Sequence, residues 1–281
     1  MRMYNKLMVL YCMVFYAYCS ADIQTILSLN EVQSALESLD SNTLVVFDVD
    51  ETLIVALDKI RRKNPAEIIN QVKKDYYHNQ VKDVAHKEYL DSIKFKMCAQ
   101  KLIEPESALL IKNLQGRNIR VIALTHMRAG RFSAIESMQE WRYQELYNLG
   151  IDMSVYNPHA LVLKNLPMGH VSHPVFHKGI LVTSQSCSKG QTLAELLRQL
   201  EWKPSSVIFF DDLEEHINSV SEEMEKMGIA CRAFHYRATE ALDLTVNVEL
   251  AAFQYQYLLK HGTWVSDVQA MELMNIGYVV T

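Results

Sequence analysis

The apolar residues of this chain fall into two alternating patterns. Short continuous runs at 43–47 (TLVVF), 119–124 (IRVIAL), 207–210 (VIFF) and 229–234 (IACRAF) are rich in β-branched and aromatic residues. Continuous runs of this length predict strands buried on both faces of a parallel sheet. Between them the apolar spacing changes to three and four. That spacing predicts helices at 106–115, 131–149, 192–200 and 213–227, with Gly116, Gly150 and Gly228 at helix ends. Strands alternating with helices predict an α/β fold with a doubly wound, mainly parallel sheet.

The stretch after the first strand departs from this rhythm. Residues 54–115 contain no glycine, and Ile68, Ile69, Val72, Tyr76, Val81, Val84, Tyr89, Leu90, Ile93 and Met97 recur mostly three or four apart. With Pro65 and Pro105 as punctuation, this predicts a helical insert at about 55–104. A short helix is expected at 23–39, before a turn at 40–42. The segment 155–186, broken by Pro158, Pro167, Gly169, Pro174 and Gly179, predicts one or two hairpins, with strand-like pieces at 160–163 and 179–183. The remainder, about 238–276, predicts two helices split near Gly262, with Ser266 as N-cap of the second.

Residues 1–21 form a pattern of their own. Arg2 and Lys6 precede an apolar run from 7 to 17, and the small residues Ser20 and Ala21 follow. Charged, apolar and small segments in this order predict a signal peptide. The run is shorter than the ~20 residues of a spanning helix; an uncleaved anchor or a first core helix are the competing readings. Cleavage predicts a periplasmic or secreted chain, 22–281, forming a single domain without stable membrane insertion. Its removal takes two basic residues from the 28 and none of the 33 acidic ones, leaving 26 against 33, or −7. No strong basic block appears, which argues against nucleic acid as a partner. Cys98, Cys187 and Cys231 remain, an odd count that does not suggest a disulfide framework.

Three predicted strands end in polar residues: Asp48, Thr125 and Asp211. In open α/β sheets the ligand crevice lies beyond the carboxyl ends of the strands, so these tips should converge. Asp48 and Asp50, two apart in a tight loop, can both point into that crevice. Carboxylates so close repel, and a divalent cation resolves the repulsion. Asp211 and Asp212 add two more, and a set of hard oxygen donors favours Mg²⁺.

The segments carrying these residues resemble the motifs of the haloacid-dehalogenase-like (HAD) superfamily. Phe47-Asp-Val-Asp-Glu-Thr-Leu53 is similar to its first motif, Thr125 to its second, Lys189-Gly190 to its third and Phe210-Asp-Asp212 to its fourth, over about residues 43–234. Phe210-Asp-Asp212 and Trp264-Val-Ser-Asp267 further resemble an uncharacterised bacterial branch whose members often bear signal peptides. The resemblance implies a Rossmann-like core with an inserted helical cap. It also implies roles. Asp48 would attack phosphorus and form an aspartyl-phosphate, and Asp50 would protonate the leaving oxygen and then help activate water. Thr125 would hydrogen-bond the phosphoryl oxygens, and Lys189 would offset charge between nucleophile and phosphate. Asp212 would ligate Mg²⁺ directly, with Asp48 and the Asp50 backbone carbonyl, while Asp211 would hold Lys189 or a metal-bound water. Many relatives carry an acidic group four residues after the metal-binding Asp; here that position is His216, beside Glu215.

The expected function is Mg²⁺-dependent hydrolysis of a small phosphorylated substrate, which the sequence does not identify. A phosphotransferase using the same aspartyl-phosphate is the near variant. A secreted binding or host-interaction protein on a retained scaffold is the reading from a different class, which the His216 departure favours. Lys178, also before a glycine, competes with Lys189. His170, His173 and His177 read as loop histidines ahead of metal ligands. His126 and Arg128 are placed to line the substrate mouth, Arg128 alternatively pairing with Glu51 or lying in solvent. Tyr76 and Tyr77 read as helix packing. Oligomeric state is not legible.

Overall fold

The computed structural model describes residues 22–63, 67–157 and 160–280, with backbone alone for 67–69. The leader reading of residues 1–21, and the export it implies, lies outside the described residues.

The predicted strands form as β2 (Thr43–Phe47), β5 (Arg120–Thr125), β9 (Ser206–Asp211) and β10 (Ala230–Tyr236). They belong to an eight-stranded sheet among the described residues, ordered β1-β10-β9-β2-β5-β8-β7-β6. Strands β1 (Asp22–Ile26) through β8 (Ile180–Val182) in that order pair in parallel, and β7 (Val175–His177) and β6 (Ala160–Val162) close one edge antiparallel. The protein is therefore α/β, with a large, mainly parallel sheet flanked by helices.

Period-two alternation explains why the central runs are apolar throughout. Val45 and Phe47 of β2 enter one core with helices α4 (Ser107–Gly116) and α5 (Met138–Asn148). Leu44 and Val46 enter the opposite core, against α6 (Lys189–Gln199) and α7 (Glu214–Lys226). On the first face Phe47 stacks on Phe210 at 4.7 Å between centroids, and Phe210 on Phe234 at 4.9 Å, tying β2, β9 and β10 together.

Several expectations change. The segment expected as a helix at 23–39 begins instead as the edge strand β1, and only Gln33–Glu37 forms the α-helix α1. Pairing with β10 overrides its weak helical pattern. The helix expected at 131–149 starts at Met138, where Ser137 caps it by accepting from the Glu140 N–H. Residues 126–137 are loop, pinned by reciprocal Phe132–Ile135 backbone hydrogen bonds. The 155–186 segment contains two hairpins, β6–β7 and β7–β8.

The insert is bracketed by a small antiparallel pair, β3 (Ile54–Ala56) with β4 (Gln100–Leu102). Between these strands lie α2 (Glu67–Lys73), a π-helical turn at Lys74–His78, and α3 (Val84–Met97). Helices α8 (Val248–His261) and α9 (Asp267–Asn275) follow the main sheet, with Gly262 in the left-handed conformation at φ 64° and Ser266 as N-cap. The insert does not pack alone: Ile60, Val72, Tyr77 and Leu90 share a core with Tyr255, Leu258 and Trp264. Buried Asp58 locks this union, accepting from Trp264 Nε1 at 2.8 Å and from the Asp267 N–H at 2.9 Å. Tyr77 does pack as a helix residue, stacked on Tyr255. Cys98, Cys187 and Cys231 are all buried.

No helix among the described residues is long and apolar enough to cross a membrane.

Candidate active site

Strand order decides the site. Strand β2 lies between β9 and β5, so Asp48, just past β2, sits between Asp211 at the end of β9 and Thr125 at the end of β5. All three are buried, Asp211 and Thr125 almost completely. The Asp48 N–H donates to the Phe210 carbonyl at 2.8 Å, extending the β2–β9 ladder to Asp48.

Lys189 opens α6. Ser188 caps that helix and forms a capping box with Gln191, which fixes where the lysine emerges. Gly190 is required next to it: a Cβ there would lie 1.9 Å from the Ser219 carbonyl oxygen of α7. The close α6–α7 approach directs Lys189 Nζ to the strand tips, where it pairs with Asp48 and, at 2.6 Å, with Asp211. Asp211 also accepts from the Leu213 N–H at 2.9 Å and contacts His216 Nδ1 at 3.1 Å. So His216, the departure from the motif, braces Asp211. Lys178 is elsewhere, held by Glu140 at 3.0 Å.

Burial raises the Asp48 pKa well above the usual carboxylate range; Lys189 opposes this, and the Asp211 and Asp212 charges add to it. At Asp211 burial acts in the same direction, but Lys189 and His216 outweigh it and its pKa is lowered. Burial would depress the Lys189 ammonium, yet the two carboxylates raise it. The lysine is thus a fixed cation between two strand tips.

Asp48, Asp211 and Asp212 offer carboxylate oxygens within 4.8 Å of one another. Three hard oxygen donors, two of them buried, suit Mg²⁺. The Asp50 carboxylate does not join this trio among the described residues. It turns to Arg142 of α5, which donates to both its oxygens at 2.9 Å. Arg142 is itself buried and pairs with Glu145 at 2.5 Å. Asp212 is engaged by Lys63 Nζ at 2.5 Å, and the Lys63 N–H donates to Glu51. Glu51 adopts φ 63° in the tight loop after Asp50, a left-handed conformation rare outside glycine. Thr52 donates back to Asp48 at 3.3 Å.

These residues open onto a cavity of about 710 Å³ whose walls include Thr125, His126 and Arg128 with Phe95, Phe132 and Trp141. Arg128 pairs with Glu88 of the insert at 2.9 Å; the expected Glu51 pairing does not form. His126 lies 5.7 Å from His216 between ring centroids, and burial and that neighbour lower its pKa. The three histidines scatter, and His177 ends strand β7 rather than lying in a loop: it contacts Glu140, while His173 meets the Leu166 carbonyl and His170 lies 3.8 Å from Glu88. Arg142 and Lys63 escaped sequence reading. The basic run Lys59-Ile-Arg-Arg-Lys63 following the first motif was a visible signal; Arg142, inside a helix, left none.

The family described as "Protein of unknown function (DUF2608)" matches residues 25–271. The chain belongs to this family. This DUF2608 chain is 25% identical to "Uncharacterized protein RP296" of Rickettsia prowazekii, over 98% of its own length and 100% of the relative's. An "Uncharacterized protein" of Rickettsia bellii is 23% identical over 70% and 72% of the two chains. The solved structure of DsGPDH of Dunaliella salina aligns at a TM-score of 0.33 and 14% identity, over 83% of this chain and 31% of that one. That likeness is too slight to carry an argument.

Proposed function

We propose that this DUF2608 chain is a HAD-like phosphohydrolase that uses Mg²⁺ and an aspartyl-phosphate at Asp48 to hydrolyse a small phosphomonoester. The observation that carries this reading is the junction of Lys189 with Asp48 and Asp211, beside the Asp48–Asp211–Asp212 trio. A single lysine braced by two buried carboxylates at neighbouring strand tips fits a site that handles a dianionic phosphoryl group.

Asp48 supplies the attacking oxygen. Lys189 stays protonated and offsets charge on the phosphoryl oxygens, and the Thr125 hydroxyl donates to one of them. Asp50 gives a proton to the leaving oxygen and later takes one from water. Asp50 lines the cavity with both oxygens accepting from Arg142, which in this reading holds it at the wall for that role. Asp48 and Asp212 would hold Mg²⁺ with the Asp50 backbone carbonyl. When bound, the ion supplies positive charge that orients the phosphate and offsets developing negative charge. The insert, clasped at β3 and β4 and packed on α8, acts in this reading as a cap that limits water in the cavity. The leader pattern at 1–21 supports a periplasmic or secreted location.

The test is phosphate release from an aryl phosphate by the chain lacking residues 1–21, with Mg²⁺ and with chelator. Metal-dependent release that disappears in Asp48→Asn supports the reading. Absence of release across a broad panel of phosphate esters overturns it.

A further inference from the structure

The cavity extends from the carboxylate trio onto the insert, where Arg61, Lys73, Asp91 and Phe95 line it. The cations of this cavity have unequal partners. Lys189, Lys63, Arg128 and Arg142 each meet a carboxylate. Arg62 donates to the Ala56, Leu57 and Asp243 carbonyls, which makes it a structural clamp. The Arg61 and Lys73 side chains make no ion pair or hydrogen bond among the described residues. Arg61 lies over the Phe95 ring at 4.9 Å, and its buried Nε has no acceptor. A buried guanidinium donor without a partner is costly, so it marks a place where an acceptor is expected.

Asp91, the acid among the described lining residues of this wall, is already used. Asp91 accepts from the Tyr77 hydroxyl at 2.8 Å and pairs with Lys94 at 2.6 Å. Lys73 is half-buried, and desolvation followed by the Arg61 charge depresses its pKa. The two cations therefore repel each other, and among the described residues lining this wall no carboxylate pairs with either. A bound anion relieves both penalties, and guanidinium suits phosphate or carboxylate oxygens. Between this wall and the loop after β5, Phe95 packs edge-to-face on Phe132 at 6.0 Å and on Trp141 at 5.8 Å, giving an apolar surface.

We infer, resting on the phosphohydrolase reading above, that the substrate carries a second anionic group, phosphate or carboxylate, held by Arg61 and Lys73, with its apolar body against Phe95 and Trp141. Substrates with one phosphate and a neutral body then forfeit the insert's contribution to binding.

Titration calorimetry with Mg²⁺ and the Asp48→Asn protein separates this inference from turnover. The probes are phenyl phosphate and phenylene 1,4-bisphosphate. The bisphosphate is expected to bind at least about tenfold more tightly. The preference should collapse toward parity when Arg61→Gln is added, and fall about threefold with the milder Lys73→Gln. Equal binding of the two probes, or a preference surviving both substitutions, overturns the inference. Phosphate release by the unsubstituted chain reports separately on the phosphohydrolase reading, so the two can fail independently.

Discussion

Arg142 donates to both carboxylate oxygens of Asp50 at 2.9 Å, although the two residues lie 92 positions apart. Nη2 alone reaches both oxygens while Nη1 pairs with Glu145, so one guanidinium holds two carboxylates at once and sets the direction of Asp50 at the cavity wall. Arg142→Lys keeps the charge but, with a single nitrogen, cannot hold Asp50 and Glu145 together. The expected outcome is a fall in kcat of about tenfold or more with KM nearly unchanged, because Arg142 positions Asp50 without touching the substrate. Steady-state kinetics on an aryl phosphate check this. An unaltered kcat would show that Asp50 needs no such hold.

Glu145 shares Arg142 with Asp50. Burial outweighs the attraction of Arg142 and pushes the Glu145 carboxyl up to about 7. The folded pKa lies above the ordinary value of 4.5, so the folded state binds the proton more tightly than the unfolded chain. This contribution to stability is complete below pH 4.5 and is lost as pH rises through about 7. Glu145→Gln should remove the loss, on the order of 2 kcal/mol. Urea denaturation of both proteins at acidic and mildly alkaline pH measures it. Parallel pH dependence in the two would contradict the assignment.

Lys63 and a divalent cation compete for Asp212. The ammonium already sits 2.5 Å from that carboxylate, on a half-exposed side chain. A partly exposed pair is worth up to about 1 kcal/mol, so Lys63→Met should tighten Mg²⁺ binding by up to about fivefold. Asp212→Asn should weaken it severely. Calorimetric titration of Mg²⁺ gives both values, and weaker binding in Lys63→Met would mean that the lysine supports the metal site.

The parallel sheet was legible because its central strands are apolar on both faces and end on Asp48, Thr125 and Asp211. Lys189 was legible only through the motif resemblance, and the helix it opens ahead of the Asp211 strand set it apart from Lys178, which also precedes a glycine. Strand β1 was not, since Asp22–Ile26 is an edge strand stabilised mainly by its partner β10, and its own residues carry little pattern. The start of α5 was missed because residues 126–137 carry enough apolar side chains to imitate a helical turn, while the fold uses Phe132 and Ile135 to line the core from a loop. Arg142 acts on Asp50 from 92 positions away, and local spacing holds no trace of that contact; the basic run at 59–63 shows Arg61 and Lys63 as cations but not what they face. Trp264-Val-Ser-Asp267 was visible as a motif, but its work became clear only with Asp58, which it meets more than 200 residues away.

The most direct test of the aspartyl-phosphate account is to trap the phosphoryl group. The Asp50→Asn protein is mixed with a labelled aryl phosphate and Mg²⁺, quenched in acid, and digested for mass spectrometry. The account predicts a hydroxylamine-labile phosphoryl group on the peptide containing Asp48, absent from Asp48→Asn and in the presence of chelator. Metal-dependent phosphate release by the unsubstituted chain that persists in Asp48→Asn, with no label on Asp48, would contradict it.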